Sequence, residues 1–283
     1  MLECVANVSE GRDARVLDAL SAACGPVLLD LHVDADHHRS VFTLAGPGEH
    51  AAEEAARALA RAVAAHVDLH GHHGVHPRLG ALDVVPFVPL DEPMAAAAGA
   101  AQAFAAWIAR ELGVPTFLYD AADPRGRSLP ALRRDAFHTR GPDHGPDAPH
   151  PHLGAVAVGA RHLLVAVNCW LASGEVATAR AVAAAVRERD GGLPGVRALG
   201  FGLPRSGGAQ VSMNLVDLER TGIEAACTEV RDRAAAAGDQ VTRVELVGLL
   251  PAAELQRTSP DFRAWARLDA DHTIEARLAR SQE

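Results

Sequence analysis

Short apolar runs alternate with longer amphipathic segments along this chain, which is the pattern of a mixed α/β protein. In the first half the apolar runs predict four strands, at Glu3–Val8, Pro26–Val33, Ser40–Leu44 and Asp83–Pro89. Helices are predicted from about Asp13 and over Glu49–Val67, where apolar residues recur every three or four positions. The two prolines in Asp83–Pro89 favour an edge or bulged strand. A further helix after Asp91 and a short strand at Val114–Tyr119 are expected next.

The second half shows a similar succession of elements. Strands are predicted at His162–Cys169, Gly195–Gly202, Ala209–Asp217 and Gln240–Leu249. Ser173 is expected to cap one helix, and a capping box at Thr221 and Glu224 is expected to open another. If the elements at 91–119 are set aside, each half has the order strand, helix, strand, strand, helix, strand. The predicted fold class is therefore α/β (α+β), with two ferredoxin-like βαββαβ subdomains.

Residues 139–153 contain four prolines and cannot form a helix or a central strand. We interpret this segment as a linker, or as a loop crossing between the halves, which gives predicted domains at 1–162 and 163–283. A C-terminal helical tail with Phe262, Trp265 and Leu268 is expected to pack on the second half.

Composition narrows the class of protein. Apolar residues make up 48% of the 283 residues but aromatic residues only 4%, so the core must consist of Ala, Val and Leu. The formal charge of −9 argues against a nucleic-acid or anionic-membrane partner. The four cysteines form no C-x-x-C pair, which favours reduced thiols. Met1–Val5 lacks the features of a signal peptide, and the Ala-rich run Met94–Ala109 is too short to span a bilayer. These features predict a cytoplasmic protein.

The loop before Asp83–Pro89 is the most unusual stretch. Four of the fifteen histidines lie within seven residues, at His70, His72, His73 and His76. Gly71, Gly74 and Pro77 exclude a regular helix and predict a tight loop. A polar loop that leads into a core strand is a common location for catalytic residues.

Three interpretations of these histidines remain open. As metal ligands the histidines have the right donor atoms, and Asp34, Asp36, His37 and His38 could add further ligands. No recognised zinc spacing is present, so a metal site is not expected. As a solvated polar loop they need no function. As acid/base chemistry, His76 is the best candidate, since Pro77 stiffens its backbone and Arg78 supplies a nearby cation.

Two arginines and one strand suggest ligand contacts. Arg39 and Arg78 lie in polar loops beside strands, where each is either a bidentate carboxylate ligand or a surface arginine paired with a nearby aspartate. On Ala209–Asp217, alternation places Val211, Met213 and Leu215 on one face. The other face suits a polar heteroaromatic ligand or is an ordinary solvated surface; it carries Gln210, Ser212 and Asn214. G-x-S-x-G and P-loop motifs are absent from the sequence, so a serine triad and a P-loop nucleotide site are not expected.

Four motifs resemble the formiminotransferase domain of glutamate formiminotransferases and of the bifunctional formiminotransferase-cyclodeaminases. They are Cys4-Val-Ala-Asn-Val-Ser-Glu-Gly-Arg12, Asp34-x-Asp-His-His-Arg-Ser-Val41, His73-Gly-Val-His-Pro-Arg-Leu-Gly-Ala-Leu-Asp-Val-Val-Pro-Phe87 and Ala209-Gln-Val-Ser-Met-Asn-Leu215. The match runs from Glu3 to about Pro251, and the His-Pro-Arg-x-Gly-Ala-Leu-Asp block is highly specific.

The resemblance implies two subdomains related by duplication, a folate tunnel between them and a homodimer. It also implies transfer of a formimino group from N-formimino-L-glutamate to N5 of tetrahydrofolate, a step of histidine degradation, with tetrahydrofolate as co-substrate and no metal. His76 stands at the position of the family's catalytic histidine and is the expected general acid/base. We expect Arg39 and Arg78 to bind the donor carboxylates, and Asp83 to orient a histidine or bind pterin nitrogens. The full set of expected substrate-binding residues is Asn7, Ser9, Glu10, Arg39, His73, Arg78, Gly80, Asp83, Gln210, Ser212 and Asn214.

The alternatives are a non-catalytic folate- or metabolite-binding module, a related one-carbon transferase with another formyl or formimino donor, and a metal hydrolase.

Overall fold

The computed structural model describes residues 1–48 and 50–281. These residues form two compact units, which divide between Leu163 and Leu164. Each unit contains one β-sheet with helices packed against it, so the expected mixed α/β class is confirmed. Among the helices within the described residues, none combines the length and apolar character needed to cross a bilayer.

Unit 1 is built on a six-stranded sheet. Its strands are β1 (Leu2–Val8), β2 (Leu28–Asp34), β3 (Arg39–Ala45), β4 (Leu82–Pro89), β5 (Thr116–Asp120) and β6 (Val156–Ala160). Its helices are α1 (Ala14–Cys24), α2 (Ala51–His66), α3 (Met94–Leu112) and α4 (Leu129–Asp135). The elements expected as far as β5 are confirmed with small shifts at their ends, whereas α4 and β6 were not predicted. Glu49, where the second helix was expected to begin, lies outside the described residues.

Local signals explain where these helices begin and end. The Asp13 carboxylate caps α1 by accepting hydrogen bonds from the backbone amides of Arg15 and Val16, at 2.9 and 3.4 Å. Helix α3 ends at Gly113, whose φ of 65° is a left-handed conformation that glycine adopts without strain. Helix α4 begins after Ser128 with a proline in its first turn, where the missing N–H removes no helical hydrogen bond.

The sheet of unit 1 has the strand order β2-β3-β1-β4-β6-β5. Its first four strands pair antiparallel, in the order expected for a ferredoxin-like βαββαβ unit. The remaining two strands extend this sheet, since β6 pairs parallel with both β4 and β5. The predicted edge position of Asp83–Pro89 is therefore wrong, because β4 lies between β1 and β6. The alternative prediction, a bulge, agrees with a register shift in the β1–β4 pairing, where Asn7 opposes Val84 and Val8 opposes Leu82.

Residues 139–153 contain no helix, as their prolines require. The segment lies within unit 1, because β6 follows it and joins the first sheet. It is therefore not the connection between the two units. Sequence periodicity gave no sign of this, because β6 is only five residues long and directly follows a proline-rich segment.

Unit 2 is built on a four-stranded antiparallel sheet of order β10-β7-β9-β8. Its strands are β7 (Val165–Leu171), β8 (Val196–Leu203), β9 (Gly208–Leu215) and β10 (Val241–Val247). Its helices are α5 (Val176–Val186), α6 (Ile223–Ala236), α7 (Ala252–Gln256), α8 (Pro260–Ala266) and α9 (Ile274–Arg280). Strand order and element order match the first four strands of unit 1, so the predicted βαββαβ arrangement occurs in both units.

Two predicted helix caps in unit 2 are wrong. Helix α5 is preceded by Glu175, and the Ser173 hydroxyl donates instead to Asp239. Helix α6 is preceded by Gly222 without a side-chain cap, because Thr221 donates to the Pro194 carbonyl at 2.7 Å and Glu224 accepts from Ser259 at 2.7 Å. Tertiary partners outcompete the local caps at both positions.

The C-terminal tail packs on unit 2, as expected. Phe262 and Leu268 are buried in its core, and Trp265 packs against the same cluster.

In unit 1, helices α2 and α3 cover one face of the sheet. Leu82, Val85 and Phe87 of β4 pack against these helices in the main core.

The opposite face of the unit 1 sheet is covered near β4 by α4. Leu132 of this helix and Ala136, the residue that follows it, form a second cluster with Val84 of β4 and residues of β5 and β6. Both faces of β4 are therefore buried, and the polar groups at its start lie on the α4 face.

Candidate active site

Four predicted site residues meet at the start of β4. The Arg39 guanidinium, at the first residue of β3, donates from Nη1 to Asp83 Oδ2 at 2.8 Å and lies 2.8 Å from Nδ1 of His76. Its Nε and Nη2 donate to the amide oxygen of Asn7 on β1, at 3.0 and 2.5 Å. One arginine thus holds together side chains from β1, β4 and the histidine loop.

The register shift in β4 aims Asp83 at this cluster. In a regular strand Asp83 would share a face with Val85, whose side chain packs against the α3 layer. Because Val8 opposes Leu82 and Asn7 opposes Val84, Asp83 is the extra residue of a bulge. Its side chain therefore turns to the face of Asn7 and Val84, as bulged residues beside functional sites do.

Arg133 of α4 completes the cluster and was not predicted. Its Nη2 donates to Asp83 Oδ2 at 2.6 Å and its Nη1 to Asp83 Oδ1 at 3.2 Å, a two-pronged contact. The Leu79 backbone amide also donates to Asp83 Oδ1, at 2.6 Å. Two guanidinium groups therefore share one carboxylate, and the group Arg39, Asp83 and Arg133 carries one net positive charge.

These contacts fix the charge state of Asp83. Its side chain is fully buried, which by itself would raise the pKa of the carboxyl. Arg39 and Arg133, together with the Leu79 amide, outweigh burial and hold the pKa below its usual value. Asp83 is consequently an ionised, buried anchor rather than a proton donor.

His76 lies half-buried at the rim of this cluster. Burial first, and the neighbouring charge of Arg39 second, lower its pKa well below the usual value for histidine, although Asp83 acts in the opposite sense. The ring is therefore neutral at neutral pH. A neutral imidazole is the form that accepts a proton, as a general base must.

The Nδ1 atom of His76 faces two groups with different demands. It lies 2.8 Å from Nη1 of Arg39, which only donates, and 2.7 Å from the carbonyl oxygen of Pro77, which only accepts. A single ring nitrogen satisfies one of these at a time. When Nδ1 carries hydrogen it donates to Pro77 and Nε2 holds the lone pair, so the tautomer sets which atom is the base.

Arg78 holds the histidine loop in shape. Its guanidinium donates to the carbonyl oxygens of His72, Gly74 and His76, at 3.3, 3.0 and 2.9 Å, and contacts Nδ1 of His72. Gly74 is also required sterically, because a Cβ there would lie 2.2 Å from the His37 carbonyl oxygen. These contacts explain the fixed loop conformation and give Arg78 a structural task that the sequence did not indicate.

Two histidine pairs join the loop to His37 and His38, which precede β3. The rings of His38 and His72 stack with centroids 3.9 Å apart, and His37 faces His76 with centroids 5.7 Å apart. Burial, followed by the charges of His38 and Arg78, lowers the pKa of His72 to about 4.

Three other predicted residues make backbone contacts around the end of β1. The Ser9 hydroxyl donates to the Gly80 carbonyl at 2.8 Å, and the Glu10 carboxylate accepts from three successive amides that begin at Gly11, at 2.7–3.0 Å. Gly80 lies so close to the next segment that a Cβ would be 2.1 Å from the Ala155 carbonyl oxygen. Their observed contacts tie the loop to the sheet.

The remaining predicted site residues are His73, in the histidine loop, and three residues of β9 in unit 2. His73 is exposed in the histidine loop. In unit 2, β9 buries Val211, Met213 and Leu215 as the alternation predicts. On its other face Gln210 is buried, Ser212 is half-buried and Asn214 is exposed.

Metal ligation was one of the alternative interpretations of the histidines. Within residues 1–48 and 50–281, no group of three or more His, Cys, Asp or Glu side chains is arranged to hold a metal ion. The histidine rings instead pair with one another and with arginine, as His38 with His72 and His72 with Arg78.

Sequence comparison supplies the family. Residues 1–161 match the family described as "Formiminotransferase domain, N-terminal subdomain", and residues 166–267 match "Formiminotransferase domain". The chain is 37% identical over 271 residues to a glutamate formimidoyltransferase of Streptococcus pyogenes serotype M1, covering 90% of each protein. It is 34% identical over 299 residues to a glutamate formimidoyltransferase of Thermoplasma acidophilum, covering 99% of this chain and 98% of that one.

A bifunctional relative matches over part of its length. The formimidoyltransferase-cyclodeaminase of Sus scrofa is 40% identical over 273 residues, which cover 89% of this chain and 50% of the relative. The first family match spans both the Cys4–Arg12 and the His73–Phe87 motifs. The chain belongs to the formiminotransferase domain family.

Proposed function

We propose that this protein is a glutamate formimidoyltransferase, which transfers the formimino group of N-formimino-L-glutamate to N5 of tetrahydrofolate with His76 as general acid/base. The family membership and two relatives of that name, matched over 90% and 99% of this chain, support the reaction. The observation that carries the catalytic assignment is the placement of the His76 ring, whose Nδ1 lies 2.8 Å from Nη1 of Arg39 and 2.7 Å from the Pro77 carbonyl oxygen.

The proposed chemistry requires two proton transfers. The N5 amine of tetrahydrofolate attacks the amidine carbon, which forms a tetrahedral intermediate in which N5 must lose a proton. His76 accepts that proton at Nε2 while Nδ1–H donates to Pro77. The imidazolium then gives the proton to the glutamate nitrogen as the bond from the amidine carbon to that nitrogen breaks. One residue acts as base and then as acid.

The low pKa of His76 suits the second transfer. Burial and the charge of Arg39 both disfavour the imidazolium, so a proton accepted from N5 is held weakly and is readily passed on. The cost is a weaker base, which orientation of the two substrates offsets by up to several kcal/mol.

The charged cluster also supports a location for the donor. Arg39, Asp83 and Arg133 carry one net positive charge beside His76, and we propose that one carboxylate of the donor binds against this excess charge. Arg78 already donates to three loop carbonyls, and we propose that it serves the site by fixing the loop. The substrate contacts of Asn7, Gln210, Ser212 and Asn214, the folate tunnel between the units and the homodimer stay predictions.

The test is turnover with formiminoglutamate and tetrahydrofolate, followed by the absorbance of the product. His76→Ala is expected to lower kcat by about 100-fold to 10,000-fold, the range for loss of a general acid/base, while folate binding is retained. The control is His70→Ala, an exposed histidine of the same loop, which is expected to retain wild-type activity. Normal transfer by His76→Ala would refute the catalytic assignment. Folate binding by the wild type without any turnover would favour the binding-module alternative.

A further inference from the structure

Arg133 is joined to His76 by an unbroken chain of contacts. Arg133 binds both oxygens of Asp83, Asp83 Oδ2 accepts from Nη1 of Arg39, and the same Nη1 lies 2.8 Å from Nδ1 of His76. Arg133 can act on His76 through Asp83 and Arg39, and its own charge also disfavours the protonated imidazole.

The position of Arg133 is fixed by the packing of the helix that carries it. Leu132, the preceding residue of α4, is fully buried against β4, β5 and β6. This anchor brings the guanidinium over Asp83, where the Arg133 side chain is only 18% exposed. The adjacent Arg134 is 72% exposed and pairs only with its neighbour Asp135 in the described contacts. The two arginines are therefore a matched pair, one inside the cluster and one outside.

The charges explain what a second arginine does there. With Arg39 alone, one carboxylate would cancel one guanidinium, and the imidazole would face a neutral pair. With Arg133 also bound to Asp83, a net positive charge remains beside the imidazole. Other charged or titratable groups near His76 are Arg78, which donates to its carbonyl oxygen, and the ring of His37.

We propose that Arg133 is a positioning residue for His76: by holding Asp83 through both oxygens it fixes Arg39 against the imidazole and leaves there a positive charge that the single carboxylate does not cancel. This inference rests on the proposed function for its catalytic consequence. Its electrostatic part concerns only the ring of His76 and holds whatever reaction the site performs.

The test compares Arg133→Gln, Arg133→Lys and Arg134→Gln in the full-length protein. The ring pKa of His76 is measured by NMR on histidine-labelled protein, with its signal assigned by its absence in His76→Ala. Arg133→Gln is expected to raise this pKa by about 1 unit, the order expected for loss of one partly buried charge several ångströms away. Arg133→Lys keeps the charge and is expected to retain most of the wild-type pKa. Arg134→Gln is expected to leave it unchanged.

The pH profile of kcat supplies the second readout. Arg133→Gln is expected to shift the acid limb upward by the same amount as the NMR titration, and to recover most of its activity about two pH units above that limb. A purely structural defect would lower activity at all pH values and would not be restored in this way. Thermal melting of each variant verifies that it is folded. If Arg133→Gln does not fold, Arg133→Met removes the same charge and is expected to give the same rise in the His76 pKa; an unchanged pKa in that variant overturns the proposal.

The outcomes separate the role of Arg133 from the proposed role of His76 as general acid/base. An unchanged NMR pKa in Arg133→Gln, or an equal rise in Arg133→Gln and Arg133→Lys, overturns the role of Arg133. A raised NMR pKa with an unmoved acid limb supports the electrostatic role of Arg133 and overturns His76 as the catalytic base.

Discussion

Replacing Asp83 with asparagine removes the negative charge shared by two buried cations with almost no change of shape. Asp83 is fully buried, and its partner side chains Arg39 and Arg133 are only 15% and 18% exposed. Removal of one member of a buried ion pair costs about 3–5 kcal/mol, because the charges left behind are no longer compensated. Both arginines are still partly exposed to solvent, so we expect Asp83→Asn to lower the free energy of unfolding by the smaller value, about 3 kcal/mol.

Urea unfolding measures this loss. With an m-value of about 2 kcal/mol/M, a loss of about 3 kcal/mol lowers the midpoint of the unit 1 transition by about 1.5 M. Asp18→Asn is the matched control, since Asp18 is exposed on α1 and its replacement is expected to change stability by less than about 0.5 kcal/mol. A loss below about 1 kcal/mol in Asp83→Asn would show that the arginines are solvated or paired elsewhere, and would refute the charge cluster.

The same variant predicts a dependence on pH. The folded pKa of Asp83 lies below its unfolded value, so the carboxylate contributes its full stability above about pH 4, the unfolded pKa of an aspartate. That contribution declines as the pH falls below 4 towards the folded pKa. The stability difference between wild type and Asp83→Asn is therefore expected to narrow in acid, and a constant difference from pH 7 to pH 3 would contradict the assignment.

Two further predictions concern the loop that carries His76. Gly80→Ala is expected to lower the free energy of unfolding by about 1–3 kcal/mol and to reduce transferase activity, because the new Cβ would lie 2.1 Å from the Ala155 carbonyl oxygen. Thermal melting measures the loss. The control is Gly99→Ala in α3, where a Cβ meets open space, and this variant is expected to stabilise the protein by about 0.5–1 kcal/mol. His72 has a folded pKa of about 4, below the usual value near 6.5, so the unfolded chain binds more protons between these values and stability is expected to fall as the pH drops from about 6.5 to 4. His72→Gln should flatten this part of the stability profile, and an unchanged slope would refute the assigned burial of the ring.

The sequence predicted the framework of both units because hydrophobic periodicity reports it directly. Asp13 as the cap of α1, Gly113 as the end of α3 and the alternation on β9 were all readable from neighbouring residues. Short elements were less readable. Helix α4 has seven residues with a proline in its first turn, and its one clear signal was Ser128 followed by that proline.

The candidate site was predicted in part, for a related reason. His76, Arg39, Asp83 and Asn7 lie in distinctive motifs, and the structure brings them together. Arg133 was missed because it belongs to the unpredicted helix, and because one arginine in a surface-like sequence has no pattern of its own. The contacts of Arg78 with loop carbonyls depend on the folded shape of the loop, which no sequence period encodes.

The bulge in β4 connects these findings. Leu82 and Val85 both pack into the helix-covered core although they are three residues apart, which a regular strand of period two does not permit. The extra residue between them resolves the conflict, and it leaves Asp83 and Val84 on the α4 face. Without it, a charged residue would enter the core among Phe87 and its neighbours, at a cost that no pairing there offsets. The sequence Leu82 to Val85 therefore specifies the bulge by burial alone, and the bulge in turn supplies the carboxylate that holds both arginines beside His76.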